Sequence, residues 1–124
     1  MLDQKLENFS KKIKSKFLPN YSIKRLNWFN IGGNAKFFFN VENLEELVKF
    51  LKEFGNNTNI LVLGGGSNIL INDHLFDGVI IKLGKNFSNI SLMQNNIIVA
   101  GAAVSDKKLS DFAYNNSLGG FEFL

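Results

Sequence analysis

Three consecutive glycines, Gly64 to Gly66, separate two apolar runs in the stretch LVLGGGSNILIND, residues 61–73. An ordinary tight turn needs at most one or two residues at positive φ, so three glycines exceed what a turn requires. The apolar, β-branched residues on either side indicate two strands, at residues 60–63 and 69–71. The sequence therefore predicts a buried strand, a loop of nearly bare backbone, and a second strand.

Two familiar phosphate-binding motifs do not fit this loop. A Walker A loop places Lys and then Ser or Thr after its last glycine, whereas Ser67 and Asn68 follow Gly66. The dinucleotide fingerprint needs a third glycine where Ile69 stands and a helix directly after it. Consecutive backbone N–H groups can instead converge on an anion as a nest, with Ser67 and Asn68 as extra donors. A structural bulge without any ligand fits the local sequence equally well.

Composition narrows the class of protein. The chain has 124 residues, which suits one domain of ordinary size, and no apolar run is long enough to span a membrane. Cysteine is absent and His74 is the only histidine, which argues against disulfides, thiolate metal sites and multi-histidine metal sites. The net charge is +3, but most lysines are scattered and there is one arginine, so we predict no nucleic-acid partner. We expect a cytoplasmic protein without a secretory signal.

Helical periodicity predicts two helices in the first half of the chain. Apolar residues spaced by three or four predict an amphipathic helix within residues 1–20. The run NLEELVKFLKEFG predicts a second helix with Asn43 as N-cap, Glu46 as capping-box partner and Gly55 as a left-handed stop. The apolar stripe expected to be buried on this second helix consists of Leu44, Leu47, Val48, Leu51 and Phe54.

The other elements complete an α+β pattern. Phe37 and Phe39 alternate with Lys36 and Phe38, which indicates a strand with one buried face. Residues 79–83 read as a further strand, and the segments on either side of QNN, 90–93 and 97–100, read as a hairpin. A short helix should begin after Ser105 or Asp106. Four isolated residues receive structural interpretations, in turns or in the core, rather than catalytic, metal or stacking roles: Trp28, Asp73, His74 and Asp77.

Five segments occur in an order that points to a known family: NWFNIGG, LVLGGGSNILIND, FDGVIIKL, AGAAVS and SLGGFEFL. This succession, over residues 21–124, resembles the amino-terminal part of the bacterial UDP-N-acetylenolpyruvoylglucosamine reductases, also called UDP-N-acetylmuramate dehydrogenases. The resemblance implies a truncated FAD-binding domain of the p-cresol methylhydroxylase and vanillyl-alcohol oxidase type, with small mixed sheets and flanking helices. It divides the chain into the amino-terminal helix (1–20), a first FAD-binding subdomain (21–83) and the start of a second (84–124).

The same resemblance implies a set of cofactor contacts. The glycine loop would hold the FAD diphosphate through backbone N–H groups, and the turn at Gly101 would approach the flavin from the second subdomain. The implied cofactor-binding residues are Gly64, Gly65, Gly66, Ser67, Asn68, Ile69, Gly101 and Ala102. NADPH would be the hydride donor and a UDP-sugar the substrate, in a reaction of peptidoglycan synthesis.

The catalytic residues of the family are not among the matched segments. Its proton-donating serine, and the arginine and glutamate that stabilise the enol intermediate, lie beyond the matched region, so we predict no catalytic residue and no metal site in this chain. The missing carboxy-terminal half would be a partner, and we expect no activity without it. Two other interpretations stay open: a non-catalytic module that binds nucleotide phosphates, and another FAD oxidoreductase of the same fold.

Overall fold

The computed structural model describes residues 1–26, 32–64 and 75–121. Contacts divide the chain into a first unit, Met1–Lys82, and a second unit, Leu83–Leu124. The assignment of 21–83 and 84–124 as FAD-binding subdomains stays a prediction. The predicted strand at 69–71 and the interpretations of Trp28, Asp73 and His74 lie outside the described residues. Within the described ranges, no helix is long and apolar enough to cross a membrane.

The first unit has a mixed four-stranded sheet and two helices, as expected of an α+β fold. Its helices are α1 (Leu2–Ser10) and α2 (Leu44–Phe54), and its strands are β1 (Lys16–Ser22), β2 (Asn34–Val41), β3 (Ile60–Leu63) and β4 (Phe76–Leu83). The strand order is β1-β2-β4-β3. Strands β1 and β2 are antiparallel, whereas β3 and β4 are parallel. The prediction that β3 is buried is wrong, because it forms an edge of the sheet and exposes Leu61 and Val62.

Strand β2 is buried on both faces, so the prediction of a single buried face is wrong. Phe37 and Phe39 are buried on one side, and Phe38, which alternates with them, is buried on the other. The ring of Phe38 stacks on Tyr21, with the centroids 4.3 Å apart. A strand that is covered on both faces usually has an uninterrupted run of apolar residues. Lys36, which is half-exposed, interrupts that run in β2, so the sequence indicated only one buried face.

Six phenylalanine rings form much of the core of the first unit. They come from α1, α2, β1 and β2, and neighbouring centroids lie 5.2–6.1 Å apart in tilted or edge-to-face arrangements. Aromatic pairs at this separation are favourable beyond the area that they bury. The six residues are Phe9, Phe17, Phe37, Phe39, Phe50 and Phe54.

The buried face of α2 differs from the predicted stripe. Phe54 is buried as predicted, and Phe50, which was not part of the predicted stripe, is buried beside it. Three members of the predicted stripe are instead exposed, namely Leu44 (63% exposed), Val48 and Leu51. Apolar residues cover more than one side of α2, so periodicity alone could not identify the side that faces the sheet. The two phenylalanine side chains, Phe50 and Phe54, lie four residues apart on one side of α2, and this side faces the core.

The ends of α2 are set partly by local and partly by tertiary interactions. Asn43 is the N-cap, as predicted, and its side chain accepts hydrogen bonds from the N–H groups of Glu45 and Glu46. Gly55 does not supply the predicted left-handed stop, because its φ of −60° is right-handed. The predicted capping-box role of Glu46 is also wrong, since its carboxylate bonds to the segment between α1 and β1 instead.

A buried carboxylate clamp, formed by Glu46 and Ser15, joins α2 to that segment. The carboxylate of Glu46 accepts the N–H of Lys14 at 2.6 Å, the N–H of Ser15 at 3.2 Å, and a short hydrogen bond from the Ser15 hydroxyl. The Ser15 oxygen in turn accepts the N–H of Glu42 at 3.0 Å. Burial acts to raise the pKa of Glu46, but the bonds from Ser15 and Lys14 and the charge of Lys14 outweigh it and hold that pKa below its ordinary 4.5.

The clamp also explains why α1 ends early. The predicted helix extends through most of residues 1–20, but α1 ends at Ser10, and Phe17 lies in β1. Lysines three and four positions apart in the run KKIKSK would repel one another on a helix. The N–H groups of Lys14 and Ser15 donate to Glu46 instead of continuing the helix.

The second unit contains a hairpin and a helix, both as predicted. Strands β5 (Ile90–Met93) and β6 (Ile97–Ala100) are antiparallel, and α3 spans Asp106–Asn115. Asn95 and Asn96 make the turn with positive φ values of 62° and 59°, which asparagine tolerates well. The hydroxyl of Ser105 caps α3 by accepting the N–H of Lys108.

Replacing Glu46 tests the carboxylate clamp. Because the pKa of Glu46 is lowered in the folded chain, its contribution to stability is present above about pH 4.5 and is lost as pH falls through the folded value. At pH 7, Glu46→Gln should lower the free energy of unfolding by about 1–3 kcal/mol, measured by urea denaturation. The deficit should shrink towards pH 3, and Glu45→Gln, at an exposed position, is the control. A deficit independent of pH would contradict the clamp.

Paired substitutions on α2 test which face is buried. Phe50→Ala removes a fully buried ring and should cost about 3–5 kcal/mol in the free energy of unfolding. Leu51→Ala, one residue away but exposed, should cost less than about 1 kcal/mol. Equal shifts of the denaturation midpoint for the two variants would show that α2 packs through a different face.

Candidate cofactor-binding site

The glycine loop begins at the end of a pair of parallel strands. Gly64 is the first residue after β3, and the register places Leu63 opposite Lys82 in β4. Ligands of sheets with parallel strands commonly bind beyond the carboxyl ends of the strands, where loops present their backbone groups. Gly64 therefore lies where such a ligand would meet this sheet.

No neighbour described by the structure requires Gly64 to be a glycine. A Cβ built on it would have nothing within 4 Å among the described residues, and its φ lies outside the left-handed region. Gly78 in β4 is different, because a Cβ there would overlap the backbone carbonyl of Asn59. A glycine that no described residue requires, at an exposed strand end, suits close approach by a ligand such as a diphosphate.

The five residues that follow Gly64 in the predicted FAD site lie outside the described residues: Gly65, Gly66, Ser67, Asn68 and Ile69. Gly64 belongs to the first unit, and the other predicted contacts, Gly101 and Ala102, belong to the second.

Gly101 has a structural role within the second unit. Its N–H donates to the carbonyl of Asn89 at 2.8 Å, and its own carbonyl accepts the N–H of Val104 at 3.0 Å. A Cβ at this position would overlap the backbone carbonyl of Phe87, so the close approach of two backbone segments explains the glycine. Ala102 is exposed in the turn that follows. Because the Gly101 amide is already bonded, Ala102 is the better candidate for a cofactor contact.

Lys82 is a site candidate that the sequence reasoning missed. It is half-buried near the end of β4, and the register sets it opposite Leu63, directly before the glycine loop. Its positive charge suits an anionic ligand at this end of the sheet. A lone lysine in the otherwise apolar run VIIKL was the available signal, but only the strand register connects it with Gly64.

The ion pairs that Lys36 makes with Asp3 and Asp77 have a structural role. The ammonium of Lys36 forms ion pairs with Asp77 at 3.1 Å and with Asp3 at 3.2 Å, and the hydrogen bonds that it donates to Asp77, and then to Asp3, raise the pKa of that lysine. Asp77 lies within β4 and not in the turn that we predicted. In the part of the chain that the structure describes, no group of three or more acidic or histidine residues could hold a metal ion.

Comparison with known proteins identifies the family to which the chain belongs. The family described as "FAD binding domain" matches residues 35–123. The chain is 57% identical over 121 residues to the UDP-N-acetylenolpyruvoylglucosamine reductase of Pelagibacter ubique (strain HTCC1062), covering 98% of this chain and 40% of the relative. The same enzyme of Rickettsia canadensis (strain McKiel) is 40% identical over 112 residues, covering 90% of this chain and 38% of that relative.

A solved structure agrees with these relatives. The crystal structure of UDP-N-acetylenolpyruvylglucosamine reductase (MurB) from Thermus caldophilus matches with a TM-score of 0.67 and 26% identity, covering 88% of this chain and 36% of that one. The chain thus spans about two fifths of the length of these reductases. It belongs to the FAD binding domain family and corresponds to the amino-terminal FAD-binding region of UDP-N-acetylenolpyruvoylglucosamine reductases.

Proposed function

We propose that this chain is the FAD-binding portion of an NADPH-dependent reductase that converts UDP-N-acetylglucosamine enolpyruvate to UDP-N-acetylmuramate in peptidoglycan synthesis. The observation that carries the proposal is Gly64, a glycine that no described neighbour requires, within the part of the chain that matches FAD-binding domains. The relatives that share this region are reductases by name. The proposed location is the cytoplasm, where NADPH and UDP-sugars are available.

In this proposal, the chain binds and orients the cofactor. The backbone N–H groups of Gly64 and of the five residues after it would hold the FAD diphosphate, with Ser67 and Asn68 adding side-chain donors. Lys82 would supply positive charge at the same strand end, and Ala102 would contact the cofactor from the second unit. Bound FAD supplies the capacity to accept and donate a hydride, while this chain fixes the position of its phosphates.

The reaction itself needs residues from outside this chain. The family's proton-donating serine, and its arginine and glutamate, have no counterpart in the matched segments, and the UDP-sugar site is expected with them. Hydride transfer also requires the flavin to be held rigidly, since misplacement by about 1 Å can cost ~10²-fold in rate. The carboxy-terminal part of such a reductase is therefore the proposed partner of this chain.

Two alternatives make different predictions. A non-catalytic module that binds nucleotide phosphates would bind ADP as well as FAD and show no preference for the flavin. Another FAD oxidoreductase of the same fold would bind FAD but would not reduce the UDP-sugar. The high identity to named UDP-N-acetylenolpyruvoylglucosamine reductases favours the proposed substrate over the second alternative.

Matched glycine substitutions test the cofactor site. We consider a hybrid protein in which this chain replaces the matched 121 residues of the P. ubique reductase. Gly64→Ala should weaken FAD binding by about tenfold or more while leaving the melting temperature of the protein without FAD unchanged, because its Cβ meets no described neighbour. Gly101→Ala should instead lower that melting temperature, because its Cβ overlaps the Phe87 carbonyl.

The readouts are a titration of flavin fluorescence and thermal melting in the absence of FAD. Full FAD affinity in the Gly64→Ala hybrid would contradict a diphosphate contact at Gly64. Failure of the folded, unsubstituted hybrid to bind FAD at all would contradict the proposed function.

The isolated chain should lack reductase activity. With FAD and UDP-N-acetylglucosamine enolpyruvate present, we expect no substrate-dependent loss of NADPH absorbance, because the proton donor and the substrate site are not in the matched region. The hybrid should restore turnover under the same conditions. Steady, substrate-dependent turnover by the isolated chain would show that this chain carries catalytic residues after all.

A further inference from the structure

One side of the β5–β6 hairpin presents an uncovered apolar surface. The register pairs Met93 with Ile97 and Ser91 with Val99, so these four residues share one side of the two-stranded sheet. Met93, Ile97 and Val99 are each 54–55% exposed. We call these three residues the hairpin face.

The described residues of the second unit provide little of a core for this hairpin. On its other side, Leu92 is exposed, and Ile90 and Ile98 are only half-buried. Among the described residues of the unit, Ala113 alone is fully buried. A two-stranded hairpin by itself is marginally stable in water, and it needs further strands or a packed layer on an apolar face.

The sequence of the hairpin is that of an interior element. Its strands, ISLM and IIVA, contain no charged residue and no proline. Exposed strands in natural proteins commonly carry lysine, proline or other features that prevent association. The hairpin face lacks these protections and is exposed on both of its strands, as expected of a surface that another polypeptide covers.

We propose that the hairpin face is the docking surface for the carboxy-terminal polypeptide of the reductase. This inference rests on the proposed function, because this chain covers about two fifths of the relatives' length and about three fifths of that length lies outside the match. The unmatched part of these relatives is a polypeptide large enough to cover the hairpin face, and it would do so with apolar side chains of its own. Docking would complete the core of the second unit.

Ile97→Lys distinguishes docking from simple exposure. In the isolated chain the substitution should leave the melting temperature unchanged, because a lysine at this position stays in water. In the hybrid protein defined above it should lower the melting temperature by about 10 °C or more, because a charge is placed in an apolar contact. Tyr114→Lys is the matched control, since this large side chain is 83% exposed on α3, and it should have no effect in either protein.

Three results would overturn the proposal. A lower melting temperature for Ile97→Lys in the isolated chain would show that the face is already covered within the chain. Dimerisation of the isolated chain in sedimentation experiments, abolished by Ile97→Lys, would assign the face to a second copy. An unchanged melting temperature for the Ile97→Lys hybrid would show that nothing docks there.

A milder variant keeps the test decisive. If the Ile97→Lys hybrid does not accumulate as folded protein, Ile97→Ala should lower the melting temperature of the hybrid but not that of the isolated chain. These measurements need no bound FAD, so they separate the two proposals. A folded hybrid that fails to bind FAD contradicts the proposed function. A hybrid that binds FAD, but whose melting temperature does not change when Ile97 is substituted, contradicts the docking surface.

Discussion

The first unit depends on the burial of β2 on both of its faces. One face contributes Phe37 and Phe39 to the cluster of aromatic rings, and the other places Phe38 on Tyr21. Aromatic side chains bury more apolar area than most other residues, so burial of these rings contributes strongly to the stability of the unit. With β2 fixed between two layers, the neighbouring β4 is held in the sheet, and β4 in turn carries β3 and the glycine that follows it.

The binding chemistry inferred for the strand end follows from this rigidity. A backbone site for an anion needs amide groups that are exposed and already positioned, because ordering them on binding would cost affinity. Gly64 directly follows Leu63, which is buried in the core cluster with Ile80 and Phe38. The exposed glycine is therefore attached to one of the well-packed positions of the unit, and no described residue fills the space that a side chain would take there.

Local signals in the sequence predicted the elements well. The N-cap at Asn43, the strand at residues 60–63, the strand within β4 and the β5–β6 hairpin were predicted from capping residues, apolar runs and turn residues, and Ser105 was one of the two predicted caps of α3. The failures concern choices that only tertiary contacts make. Hydrophobic periodicity, for example, could not show that the carboxylate of Glu46 would accept hydrogen bonds from Ser15. Because of these bonds the segment before β1 is not helical, and α1 ends at Ser10.

The candidate site was predictable to a similar depth. The glycine pattern predicted a cofactor contact at Gly64, which stays a prediction, whereas the proposal of Lys82 depends on strand register and the structural role of Gly101 depends on its close approach to Phe87. The central claim is that the backbone after β3 binds the FAD diphosphate, and titration of FAD into the ¹⁵N-labelled chain, followed by amide chemical shifts, tests it most directly. The account predicts a saturable shift of the Gly64 amide, with the Gly78 amide unmoved. Saturable shifts elsewhere, with Gly64 unmoved, would contradict it.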